Sequence, residues 1–178
     1  ENVERVSVEY SISHALFIRA KGAFTLGQEL LNQVVQDEQS VVLNSFNAED
    51  AWDLGCLMVQ MAREQGLKLT IAIDVNGQKL FYYAFEGTHL NNESAVARKS
   101  RVAHVFRCCS LRVFYELQAS GGTIADRGRD PKDYLAVGGA VPIRLKNSGV
   151  IGTVCVSGLA HTDDHRFVIS AMRSYIRG

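Results

Sequence analysis

The stretch Lys68-Leu-Thr-Ile-Ala-Ile-Asp-Val-Asn-Gly-Gln-Lys-Leu-Phe-Tyr-Tyr-Ala-Phe85 decides the fold. Leu69, Ile71, Ile73 and Val75 alternate with smaller or polar residues, the period-2 pattern of a strand whose two faces meet different surroundings. Asn76-Gly77 is the preferred pair for a two-residue type I′ turn, where both residues need positive φ. Leu80–Phe85 then returns as a second strand, apolar on both faces, and is expected at a central position covered on both sides.

Helical periodicity on either side supplies the cover. Residues 24–38 carry Leu26, Leu30, Leu31, Val34 and Val35 at helical spacing, and Val41–Leu43 reads as a short edge strand. Asn47 is placed to cap the next helix, with Glu49 and Asp50 in its first turn, where the helix dipole favours acids. Ala51, Leu54, Met58, Met61 and Ala62 form its apolar stripe, and Gly66 its left-handed stop. Residues 91–118 read as helical, but their apolar positions do not keep to one face, which places a break near Cys108-Cys109-Ser110. A Gly- and charge-rich loop follows over residues 119–134, of a length common in lids, binding loops and insertions. Two more strands are expected at Ala136–Leu145 and Val150–Ser157. A last helix is expected from an N-cap at Thr162, with Phe167, Val168, Ala171, Met172, Tyr175 and Ile176 on its buried side. Two hairpins with helices before, between and after them predict an α+β fold, an antiparallel sheet flanked by helices on both faces.

Length and composition agree with one compact domain. The chain has 178 residues, 47% of them apolar and 21% charged, enough for a sizeable core without staples. The 19 basic and 19 acidic side chains cancel, which gives no whole-molecule field to steer the protein onto nucleic acid or an anionic membrane. No apolar run approaches the ~20 residues of a spanning helix. Residues 1–23 are read as an N-terminal extension whose leading residues are processed or added, since the chain opens on Glu1, and residues 24–178 as a single domain. The acidic N-terminus lacks the pattern of a signal peptide, and a cytoplasmic location follows as the expectation.

Chemistry is harder to find. The chain has no phosphate-cradling P-loop and no G-x-G-x-x-G after a strand. Val156-Ser157-Gly158 lacks the leading glycine of a nucleophile elbow. Four cysteines without a C-x-x-C pair write neither a zinc ribbon nor a dithiol site, and the adjacent Cys108 and Cys109 are read as reduced thiols at a helix end. The cluster His161-Thr-Asp-Asp-His165 has metal-ligand spacing, but helix capping accounts for its acids, and no metal is expected. Arg98, Lys99, Arg101, Arg107 and Arg112 place five bases in fifteen residues without an acid. On a continuous helix Arg98, Arg101 and Arg112 would lie within about 60° of one another, a stripe suited to carboxylates, phosphates or a subunit contact. Asp74, Tyr82, Tyr83, His89 and His104 show no acid–base pairing by spacing.

The segments Ala72-Ile-Asp-Val-Asn-Gly-Gln-Lys-Leu-Phe81, Arg98-Lys99, Gly138-Gly-Ala-Val-Pro-Ile143, Gly149-Val-Ile-Gly-Thr-Val-Cys-Val-Ser-Gly158 and Asp164-His165 resemble the haem-degrading (haem-binding, HbpS-like) domain family, in particular its small stand-alone cytosolic branch. The resemblance covers about residues 28–177. It implies a profilin-like antiparallel sheet flanked by helices, an α-β-α sandwich, and assembly into dimers or larger oligomers. Some members bind haem, and one group is fused to a cobalamin adenosyltransferase. Two positions depart from the pattern: Val137 stands where the branch commonly has His, and Ser94-Ala95-Val96 where it usually has Trp. A histidine beside the Gly-Gly pair is therefore missing.

The resemblance and the residues together give the expected function: an oligomeric, non-catalytic domain that binds haem or another small anionic ligand. Arg98 and Lys99 would supply charge, and Gly139, Ser157, Asp164 and His165 would surround the pocket. Nucleic acid and membrane are not expected as partners. Two readings of other classes stay open, a ligand-free interaction module and a haem-linked or hydrolytic enzyme.

Overall fold

The computed structural model describes residues 26–177. The extension expected at residues 1–23 lies outside the described residues, as do the first two residues of the helix expected from residue 24. A helix over residues 26–40 (α1) leads to α2 (Ala48–Glu64), the hairpin β1 (Thr70–Val75) and β2 (Gln78–Ala84), then α3 (Leu90–Phe106) and α4 (Ser110–Ser120). A single 3₁₀ turn at Ala125–Arg127 interrupts the long loop before the hairpin β3 (Ala140–Leu145) and β4 (Gly149–Ser157), and α5 (His161–Arg177) closes the chain. The sheet is antiparallel throughout, in the order β2-β1-β4-β3.

The hairpin forms as its sequence requires. Asn76 and Gly77 take φ of 51° and 82°, and Val75 pairs with Gln78 across the two-residue turn. Asn47 caps α2 through a full capping box, its side chain accepting from Glu49 and Asp50 N–H while Asp50 accepts from Asn47 N–H. The break between α3 and α4 falls where the apolar face was lost: Arg107 turns left-handed at φ 56° and Cys109 starts the next helix.

The alternation of the strands separates two cores. Ile71, Ile73, Val141, Val154 and Val156 face α2 and α5, where they join Leu54, Met58, Phe167, Val168 and Met172 in the main core. Ala72, Ala140 and Cys155 face the other way and meet Val96 and Ala103 of α3. Those small residues let α3 lie close on the sheet. The result is the expected α-β-α layering.

Four local expectations need correction. β2 is an edge strand, not a central one, since it pairs with β1 alone in the order β2-β1-β4-β3; α3 packs on β1, β3 and β4 and leaves Tyr82 of β2 40% exposed. Val41–Leu43 forms no strand; Leu43 makes only a single isolated bridge, parallel, to Leu145 at the end of β3. β3 begins at Ala140 because Gly139, at φ +125°, cannot continue a strand backbone. α5 begins at His161, one residue before the expected cap at Thr162, with Ala160 O receiving the first helical N–H groups.

Candidate functional site

The basic run of α3 does not form one cationic stripe. The left-handed Arg107 ends α3, so Arg112 belongs to α4, where it pairs with Glu38 and Glu116. Arg98 and Arg101 bind the long loop to the outside of α3. Arg98 donates to Pro131 O, and Arg101 Nη1 donates to both the carbonyl and the carboxylate of Asp133. This strap brings Tyr134 over the sheet.

Lys99 points the opposite way, into the core, and is 2% exposed. Its ammonium donates to Gly138 O at 3.1 Å, Val156 O at 2.8 Å and Asp164 Oδ2 at 2.9 Å, which uses all three N–H groups. Asp164 accepts in addition from Leu159 N–H. Burial pushes its carboxyl up, and the bonds from Lys99 and from Leu159 and Gly158 N–H pull against that without cancelling it. Gly139 completes the cluster. A Cβ there would stand 2.5 Å from Lys99 Nζ and 2.7 Å from Val156 O. Three of the residues singled out by sequence, Lys99, Gly139 and Asp164, thus meet in one closed cluster that joins α3, the start of β3, the end of β4 and α5.

The other three lie elsewhere. Ser157, at the end of β4, accepts from Asn92 Nδ2 at 3.4 Å. His165 is buried on the main-core side, its Nε2 3.2 Å from Asp37 Oδ2 of α1, and Arg173 holds the second oxygen of that carboxylate. Arg98 is on the outer face. His161 accepts from Gly138 N–H and packs against Phe114, so the two histidines of the His161–His165 cluster serve different neighbours.

A crevice of about 570 Å³ opens between α3 and the sheet near the β1–β2 turn. Register builds its floor: Asp74 pairs with Lys79 of β2 and Thr153 of β4, so these three form a row across the sheet on the α3 side. Ala97, Ser100, Arg101 and His104 form the helical wall, and Tyr134 of the strapped loop closes one side. Thr153 is 2% exposed, yet its Oγ1 has no hydrogen-bond partner, while the buried Ser100 Oγ lies beside the Cys155 thiol. Asp74 is half-buried, and burial pushes its carboxyl up against the pull of the Lys79 charge. No hydrogen bond or ion pair engages that carboxylate among the described residues, and the Lys79 ammonium sits 4.8 Å from the centre of the Tyr82 ring instead. Sequence reasoning named Asp74 and His104 without joining them. Strand register places residue 74 opposite residues 79 and 153, and the packing of α3 on the sheet brings His104 over that row.

The lining offers two cationic groups, an imidazole and a free carboxylate, with the unpartnered Thr153 hydroxyl beside it. Such a site suits a small polar ligand with an anionic group. An antiparallel four-stranded sheet layered between helices places the chain in the class of profilin-like α+β domains. Comparison with known proteins narrows this: the family model for haem-degrading HbpS-like proteins matches residues 46–173, and the chain belongs to that family. A UPF0303 protein of Streptomyces coelicolor is 37% identical over 145 residues, covering 81% of this chain and 92% of that protein. One of Azotobacter vinelandii is 38% identical over 143 residues, covering 80% and 86%. Among solved structures, the Ybr137w protein superposes with a TM-score of 0.76 at 26% identity, over 83% of this chain and 88% of that one. A PduOC–haem complex shares the fold, with a TM-score of 0.59 at 16% identity over 74% and 94%.

Proposed function

We propose that this protein is a non-catalytic, oligomeric cytoplasmic domain that binds a small anionic molecule, haem or a carboxylate metabolite, in the crevice beneath α3. The observation that carries the reading is the row Lys79–Asp74–Thr153 facing Arg101 and His104, in which the Asp74 carboxylate and the Thr153 hydroxyl lack partners among the described residues. An unpartnered buried hydroxyl costs stability in a folded protein, and a ligand that draws Thr153 toward the crevice would supply the missing bond. Arg101 and Lys79 provide charge-assisted donors for carboxylate oxygens, and Arg101 keeps Nε and Nη2 uncommitted among the described residues. The family membership and the haem held by a structural relative support the same class of ligand.

The rim fits haem. Arg101 and Lys79 would hold its propionates, and His104, the imidazole that lines the crevice, would offer a nitrogen to its iron, which supplies the redox and gas-binding chemistry of the group. In this reading Lys99, Gly139 and Asp164 seat α3 on the sheet and so set the wall of the crevice, while Arg98 strings the loop across it.

A binding role agrees with the state of the nucleophiles. Burial pushes the thiol of Cys155, beneath α3, up to about 11, and that of Cys108 up to about 12. Ser157 has an amide, not an imidazole, beside its hydroxyl. Absorbance titration with haemin and calorimetry with short carboxylic acids test the proposal on the wild type and Arg101→Gln. Saturable binding weakened at least tenfold by the substitution supports it. No saturable binding of either kind, or binding indifferent to Arg101, overturns it.

A further inference from the structure

The floor of the crevice says more about the ligand than the rim does. A rim of Arg101, His104 and Lys79 asks only for negative charge. Asp74 asks for the opposite. Its carboxylate is half-buried, lines the crevice and lacks a partner among the described residues, because its cross-strand neighbour Lys79 leans onto Tyr82. Beside it, Thr153 Oγ1 is enclosed by protein and unbonded. A carboxylate accepts only, whereas a hydroxyl both donates and accepts. A group that satisfies both is an ammonium or a hydroxyl, which gives a hydrogen bond to Asp74 and, on a small rotation of Thr153, engages its hydroxyl.

We infer that the ligand of this crevice is dipolar: a small amino or hydroxy acid that sets its acid group against Arg101, His104 and Lys79 and its amine or hydroxyl against Asp74 and Thr153. The inference rests on the anion-binding reading above and deepens it. A donor-free dianion would bring no donor to Asp74 and would lay further negative charge beside an unpaired carboxylate. Of the two anionic candidates, the floor selects the small polar acid over haem. The raised protonation range of Asp74 accords with a carboxylate that awaits a donor.

Matched pairs of acids test this. L-serine and lactate would be titrated against propionate, and L-glutamate and 2-hydroxyglutarate against glutarate, with haemin as a separate probe. Binding would be followed by calorimetry in the wild type, Asp74→Asn, Thr153→Val and Arg101→Gln. The expected result is that at least one donor-bearing acid binds tenfold or more tightly than its donor-free partner. Asp74→Asn and Thr153→Val, each close to the native size, should bring that ratio near one, while Arg101→Gln weakens both members alike. Thr153→Val keeps the test alive if Asp74→Asn fails to fold. Equal binding within every pair, or saturable haemin binding with none by the donor-bearing acids, overturns the inference and leaves the anion reading standing. Absence of binding by every probe removes both. A preference that survives Asp74→Asn and Thr153→Val also overturns it, since the donor would then be read elsewhere.

Discussion

Replacing Lys99 by Met removes a charge from the centre of the fold while keeping the length and apolar stem of the side chain. In the native protein its ammonium joins the Gly138 carbonyl before β3, the Val156 carbonyl of β4 and the Asp164 carboxylate of α5, all within 3.1 Å. Lys99→Met leaves the Asp164 carboxyl, 2% exposed, without its ammonium and with backbone N–H groups as its remaining partners. Breaking a buried pair from one side typically costs about 3–5 kcal/mol, because the survivor is an uncompensated buried charge. For a domain of this length that lowers Tm by roughly 6–20 °C. Lys99→Met/Asp164→Asn removes both charges but keeps an acceptor for Leu159 N–H, so its cost should fall short of the sum of the single variants by about 1–3 kcal/mol. Urea unfolding at pH 7, followed by circular dichroism, measures all four proteins. A Lys99→Met cost below about 1 kcal/mol, or strict additivity in the cycle, would refute the view that this pair fastens α3 to the sheet.

Gly139→Ala should destabilise the fold by about 3 kcal/mol, since it forces a side chain into a glycine-only conformation and against Lys99 Nζ and the Val156 carbonyl; a midpoint equal to wild type in the same urea assay would contradict it. Asp74→Asn should stabilise the ligand-free protein at neutral pH. Burial raises the folded-state range of Asp74, so wild-type stability falls as pH climbs from the ordinary carboxylate value through that raised range, and Asn carries no such penalty. The two proteins should therefore converge in stability at low pH, and a gain that grows on acidification would show the sign to be wrong. With a thiol reagent at pH 8, one thiol per chain, the exposed Cys56, should react quickly; Cys108, Cys109 and Cys155 should wait for denaturant because they are buried and held protonated. More than one fast thiol in the native protein would count against that arrangement.

Local signals carried the fold further than the site. Asn76-Gly77 specifies its turn by φ alone, Asn47 its helix by capping, and the lost apolar face near Cys108 marks a true helix break, so all three were readable from neighbours in the chain. Layering followed from element order. The position of β2 did not, because an apolar strand reads alike whether a helix of its own chain covers it or Tyr82 is left open. Thr162 looked like a cap because the acids after it fit a first turn, whereas Asp164 in fact spends its oxygens on Lys99 and Leu159 N–H. Lys99 and Asp164 are 65 residues apart, and nothing local distinguishes the buried lysine from its neighbours, the half-buried Arg98 and the exposed Arg101. The crevice floor needs strand register across three strands, which no local pattern encodes.

Native mass spectrometry tests the central claim, that the crevice beneath α3 binds a small anionic molecule, most directly. Wild type and Arg101→Gln/His104→Gln would be measured as purified, after equilibration with haemin, and after equilibration with the paired acids. The account predicts a defined oligomer in which the wild type carries one ligand mass per subunit in at least one of these conditions, and in which the double variant keeps its assembly but loses that mass. A wild type that takes up none of the probes and carries no added mass, or a double variant that retains the ligand in full, would contradict it.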